Sequence, residues 1–92
     1  LGSLYFLQKQ WTKAEAQYTA AIACQPNEAQ LFFNRANTWY ELREYYNALK
    51  DAERYVLHKP DTFTGYFLKG LIFTRMLAFD KAAAAFNKAL QY

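Results

Sequence analysis

Apolar residues recur along this chain at steps of three and four, the spacing that gathers side chains on one face of a helix. Phe32, Ala36, Trp39 and Arg43 share such a face in a helix predicted over Gln30–Arg43, and Tyr66, Gly70, Phe73 and Leu77 share the matching face of one predicted over Thr64–Leu77. The same reading predicts helices from Thr12 to about Cys24, over Tyr46–His58 and over Asp80–Gln91, with Leu1 to about Gln8 as the tail of another. Punctuation falls between these segments. Pro26 and Pro60 each end a helical stretch, because proline lacks the N–H that would continue it. Thr12 followed by Glu15 reads as a capping box, and Asp61 and Thr62 both offer side-chain oxygens to the exposed N–H groups of the helix after Pro60.

The segments repeat. Trp11, Tyr45 and Phe79 stand 34 positions apart, and the same step relates Gly2, Ala36 and Gly70, then Tyr5, Trp39 and Phe73, then Ala14, Ala48 and Ala82, then Pro26 and Pro60. A period of 34 with small, aromatic, alanine and proline slots in this order resembles the tetratricopeptide repeat, a helix–turn–helix unit. The resemblance covers the whole chain. It implies an all-α, right-handed α-solenoid of stacked antiparallel helix pairs, divided into a partial repeat over 1–28, a second over 29–62 and a third over 63–92. The front of the first unit is missing from the alignment and the third stops before its expected proline, so the chain reads as a segment of a longer array.

Packing expectations follow from the columns. Ala36 and Gly70 are small where two helices must come close, and Trp39 and Phe73 fill the space one turn on. Second helices carry a large residue and then a small one in units one and three, Tyr18 with Ala21 and Phe86 with Ala89, whereas unit two has Ala52 and then Tyr55. Tyr55 is therefore expected to fill the volume that an aromatic at position 52 would have taken, since cores tolerate rearrangement at constant volume.

Composition narrows the function classes. In 92 residues, 53% hydrophobic and 20% aromatic content excludes a disordered chain. No apolar run approaches 18 residues, so no membrane span is expected, and no signal peptide is visible. The net charge of +3 is spread from Lys9 to Lys88 without a basic cluster, which argues against nucleic acid as a partner. One cysteine, Cys24, cannot form an internal disulfide, and a cytoplasmic setting is the default. His58, the single histidine, shares a column with Cys24 and reads as a partly buried side chain near a helix end. Ligand spacings for a metal, phosphate-binding glycine loops and nucleophile elbows are absent, so no catalytic residues, metal or cofactor are expected.

A binding surface remains. Concave surfaces lined by the first helix of each unit are what stacked helical repeats use to bind. Away from the packing seam, unit two presents Gln30, Phe33, Asn34, Asn37, Tyr40 and Glu41, and unit three presents Thr64, Phe67, Leu68, Leu71, Thr74 and Arg75, with Ser3, Phe6 and Leu7 from unit one. The expected peptide site is Phe6, Phe33, Asn34, Asn37, Tyr40, Phe67, Leu68, Leu71 and Arg75. Amides would hold a peptide backbone, the apolar positions would bury one or two side chains, and Arg75 would pair with an acidic group. The function read from this is a protein–protein interaction module, an adaptor or scaffold. The alternative is a structural segment whose surfaces pack within its own chain or self-associate through the uncapped terminal helix, with its stripe of Ala82, Ala85, Phe86, Ala89 and Leu90.

Asn34-Arg35-Ala36 also resembles the middle helix of the family branch that clamps the C-terminal carboxylate of the chaperones Hsp70 and Hsp90. Where that branch has an asparagine this chain has Ser3, and where it has a lysine and an arginine this chain has Thr64 and Leu68. Without those cations the charge-assisted hydrogen bonds to a carboxylate are missing, so clamping of that kind is not expected.

Overall fold

The computed structural model describes residues 10–92, and all of its regular structure is α-helical. Five helices follow one another: α1 Trp11–Cys24, α2 Ala29–Glu41, α3 Tyr45–His58, α4 Phe63–Arg75 and α5 Phe79–Ala89. The expected helix over Leu1 to Gln8, and with it Phe6, lies outside the described residues. Each helix packs on the next in chain order, and α2 also touches α4. That last contact is the mark of stacked pairs, with α2 and α4 in one layer and α3 and α5 in the other.

Helix ends depart from the sequence reading in instructive ways. The second helix of each pair starts on the aromatic residue itself, Trp11, Tyr45 or Phe79, one position earlier than expected. Thr12 consequently lies inside α1, whose N-cap is Gln10, and the capping box does not form. The Thr19 hydroxyl instead donates to the Glu15 carboxylate one turn along the helix. Thr62, rather than Asp61, caps α4, accepting from the Gly65 N–H at 3.5 Å.

The first helices end two residues early, at Glu41 and Arg75, because Arg43 and Leu77 both adopt φ of 62°. The Glu44 N–H donates to the Trp39 carbonyl at 2.9 Å and the Arg43 N–H to the Tyr40 carbonyl at 3.0 Å. Ala78 to Phe73 at 2.9 Å and Leu77 to Thr74 at 3.1 Å repeat the pattern, which is the Schellman closure of a helix. Such a position ordinarily takes glycine, since a side chain there costs about 1–2 kcal/mol. Leu77 therefore leaves the packing face assigned to it and stands 73% exposed in the turn.

The core is built from the repeat columns. Ala14, Ala48 and Ala82 are all buried, and Ala36, Ala48, Ala52, Leu68 and Ile72 form one cluster with Trp39, Tyr45 and Leu49 packed against it. Thr38 and Ile72, one period apart, are wholly enclosed although the sequence reading passed over both. Thr38 is tolerated there because its hydroxyl donates to the Asn34 carbonyl at 3.0 Å.

The expected volume exchange is joined by a second one between helices. A Cβ on Gly70 would lie 2.5 Å from Cδ1 and 2.7 Å from Cζ of Phe86, so the ring occupies the space that glycine leaves. One period earlier the same two slots hold Ala36 and Ala52, both buried. The compensation thus runs between helices, glycine with an aromatic or alanine with alanine. Tyr55 also takes the part expected of it: it packs on Phe33 with ring centroids 4.8 Å apart, as Phe86 packs on Phe67, the counterpart of Phe33, at 5.6 Å, and it approaches Gly65, where a Cβ would be 3.0 Å from its ring and 2.6 Å from Val56.

One ion pair ties three helices. Arg35 of α2 donates from Nε to Asp51 Oδ2 at 2.7 Å and from Nη2 to Oδ1 at 2.9 Å on α3, and from Nη1 to the Thr19 hydroxyl at 3.1 Å on α1. The side chains are 19% and 8% exposed. This bidentate geometry uses the planar guanidinium fully. The Asp51 hydrogen bonds are the main reason that the Arg35 pKa rises above the ordinary guanidinium value, against the opposing effect of burial. A raised pKa on a cation adds stability that is fully present below the unfolded-state value and is lost as pH rises through the folded one, so the Arg35 side of this pair is intact throughout the neutral range.

Candidate functional site

The contact between α2 and α4 forms the floor of the surface that the sequence points to. It is bridged by a hydrogen bond in which Arg75 Nε donates to the Tyr40 hydroxyl at 2.9 Å. Tyr40 is itself braced by Tyr45, ring edge to ring face at 5.8 Å. Asn37 lies three residues before Tyr40, and Leu71 four before Arg75, so helical spacing sets all four on one shared face. Asn37, Tyr40 and Leu71 are half-buried and Arg75 is exposed, the graded exposure of a shallow groove.

Polar groups on this face are partly committed. Asn37 donates Nδ2–H to the Phe33 carbonyl at 3.0 Å, which fixes its amide and turns the side-chain oxygen away as an acceptor. Asn34 accepts from Gln30 Nε2 at 3.1 Å through its own side-chain oxygen. Tyr40, Glu41, Arg43, Tyr45 and Arg75 line a cleft of about 590 Å³ at the end of the groove where α2 and α4 terminate. The Arg75 pKa is raised from its ordinary value, first by the hydrogen bond to Tyr40.

The expected site residues divide. Asn37, Tyr40, Leu71 and Arg75 come together as described, and Asn34 sits beside them one turn earlier on α2. Leu68 does not belong to an open surface. It is 4% exposed and part of the core cluster, because its side of α4 packs back against α2 and α3. Phe33 is half-buried against Tyr55 of α3. Phe67 turns toward α5, stacked on Phe63 at 5.5 Å and tilted against Phe86 at 5.6 Å, and remains 41% exposed. Helical spacing alone could not separate these neighbours, since positions 67, 68 and 71 lie within one broad stripe.

Arg43 and Tyr45 were missed as cleft residues because Arg43 belongs to the turn and Tyr45, the first residue of α3, was read only as a member of a repeat column. A signal existed in the spacing of Arg43 and Leu77, one period apart, but only the backbone reveals the shared left-handed turn. His58 is exposed rather than partly buried, with Nδ1–H directed to the Arg54 carbonyl at 3.0 Å, and Cys24 is exposed as well. Among the described residues no three His, Cys, Asp or Glu side chains group as metal ligands, and no helix is long and apolar enough to cross a membrane.

No family model matches the chain. Known proteins do. The Hsp70-Hsp90 organizing protein 3 of Arabidopsis thaliana is 31% identical over 91 residues, 99% of this chain and 16% of that protein, so the chain spans about a sixth of the length of that curated relative. Among solved structures, the Arabidopsis OM64 TPR domain is 30% identical with a TM-score of 0.93, over 97% of this chain and 74% of that one. The second TPR of Spaghetti (RPAP3), bound to the HSP90 peptide SRMEEVD, superimposes with a TM-score of 0.92 at 24% identity, over 98% of this chain and 83% of that one. With the repeat columns occupied as described and a domain of this kind matched over 97% of this chain and 74% of its own, the chain belongs to the tetratricopeptide-repeat family.

Proposed function

We propose that this chain is a protein–protein interaction module that holds a peptide or protein segment in the groove between α2 and α4, as an adaptor or scaffold. The observation that carries this reading is the bridged α2–α4 face, where Asn37, Tyr40, Leu71 and Arg75 combine a fixed amide, an aromatic hydroxyl, an apolar side chain and a cation. The fixed Asn37 oxygen accepts a peptide N–H, and Leu71 covers one apolar side chain. One such anchor contributes roughly 1.5–3 kcal/mol, and after the costs of association micromolar affinity is the expected range. The peptide bound in the RPAP3 structure supports a peptide as the class of partner.

The mode of capture differs from carboxylate clamping. Two positions that would supply cations hold Thr64, a neutral hydroxyl, and Leu68, a core residue. A division into repeats over 1–28, 29–62 and 63–92 and a cytoplasmic setting belong to the same proposal, as does the absence of catalysis, in keeping with the Hsp70-Hsp90 organizing relative.

A second reading has its own support: Phe79 and Leu90 are 61% and 78% exposed on α5 and the turn after it, an apolar edge suited to another helix or another copy. The two are separated by isolating peptides by display against the chain and measuring their affinity for the Asn37→Ala and Leu71→Ala variants. Groove binding requires several-fold weaker affinity at unchanged helicity. Equal affinity for both variants would move the binding surface to the α5 edge.

A further inference from the structure

We propose that the cleft at the end of the groove receives the carboxylate of a single internal Asp or Glu side chain of the bound peptide. The inference deepens the groove reading and rests on it. Arg75 offers a prepared fork: its Nε is tied to the Tyr40 hydroxyl at 2.9 Å, and Tyr40 is braced by Tyr45 at 5.8 Å, while both Nη groups have no partner among the described residues. A guanidinium held at Nε, with both Nη groups unpaired, matches the two oxygens of a carboxylate. Arg43 lines the same cleft as a second cation, carried by the turn with φ of 62°.

The same cleft limits how many negative charges it accepts. Glu41 lines it, and α2 and α4 both end there, presenting the partial negative charge of their terminal carbonyls. One carboxylate between two arginines is favourable, whereas a run of acids meets Glu41. Glu41, Arg43 and Arg75 are all exposed, so the cleft is open at the rim and a chain can continue past it on both sides. The acidic group is therefore a side chain within the peptide and not its terminus.

A positional array of acetylated, C-terminally amidated heptapeptides, each made with Glu and with Gln at one internal position, tests this by fluorescence polarisation. Amidation removes the terminal carboxylate as a source of charge. Wild-type protein is expected to favour Glu over Gln by about fivefold, the upper end for an exposed charged pair, and to lose that preference at high salt. Arg75→Gln should bring the ratio close to one and Tyr40→Phe should reduce it, while Asn37→Ala weakens the Glu and Gln peptides alike. Circular dichroism checks that the variants keep their helicity. Bound peptides without a Glu preference, or a preference that survives Arg75→Gln, would overturn the acidic cleft and leave the groove intact. Binding of no peptide in the array would overturn both.

Discussion

The α2–α3 pair and the α4–α5 pair carry the same columns of residues in different surroundings. Among the described residues the first pair has helices on both sides, α1 and α4, whereas the second is flanked on one side only, by α3 and more lightly by α2. Phe33 is half-buried, and its counterpart Phe67 is 41% exposed. Tyr45 is packed against the core, and its counterpart Phe79 is 61% exposed. Val56 meets Gly65 of the following helix, and its counterpart Leu90 is 78% exposed. Residue chemistry is nearly constant across these comparisons, so exposure here is set by the neighbour and not by the side chain. An exposed apolar residue in a repeat stack marks an unfilled stacking face as readily as a ligand site.

The pairs also cohere by different means. Arg35 and Asp51 lock α2 to α3, whereas their counterparts are Lys69 and Ala85, which cannot form that pair. In α4–α5 the Phe86 ring instead fills the space that Gly70 leaves. The largest expected effect therefore comes from Asp51→Ala, which strands a partly buried guanidinium. Its cost should be about 2 kcal/mol, below the roughly 3–5 kcal/mol of a fully buried pair because Arg35 keeps some contact with water. Urea unfolding measures it, and a loss under about 0.5 kcal/mol would show that the lock contributes little.

Gly70→Ala sharpens the other half of the comparison. The substitution gains about 1 kcal/mol of helix propensity yet forces the Phe86 ring aside, for a net loss of about 1–2 kcal/mol. Combined with Phe86→Ala it recreates the alanine pair of α2–α3, so the double variant should recover about 1 kcal/mol relative to the sum of the single changes. Strict additivity would break the proposed exchange between helices.

Smaller effects come from the turns and the open edge. Leu77→Gly should stabilise the chain by about 0.5–1 kcal/mol, because it relieves the left-handed backbone while giving up little burial. Thermal melting would show a rise in midpoint, and a fall would mean that Leu77 packs more than its exposure indicates. Leu90→Gln should change stability by less than about 0.5 kcal/mol. Light scattering over a concentration series should show self-association through this edge, if it occurs, weakened by the same change.

Among the described residues, helix number, order and approximate limits were legible because helical spacing and the 34-residue period both report on the backbone through the same apolar residues. The starts were misjudged by one residue because Trp11, Tyr45 and Phe79 combine the role of core aromatic with that of first helical residue. The Thr12–Glu15 signal failed for a related reason: Glu15 finds Thr19 within its own helix, and Thr19 in turn meets Arg35, so a tertiary network displaces a local cap.

The candidate groove face was half legible. Asn37, Tyr40, Leu71 and Arg75 follow from spacing, but Leu68 and Phe67 required knowledge of which neighbour each side of α4 meets. Neither the Arg35–Asp51 pair nor the Tyr40–Arg75 bridge leaves a sequence signature, since the partners are 16 and 35 residues apart on different helices.

The most direct test of the groove is amide chemical-shift mapping of the labelled chain with a display-selected peptide. The account predicts shifts concentrated at Asn37, Tyr40, Leu71 and Arg75, with α5 and its Leu90 edge unmoved. Shifts concentrated on α5, with those four amides unchanged, would contradict it.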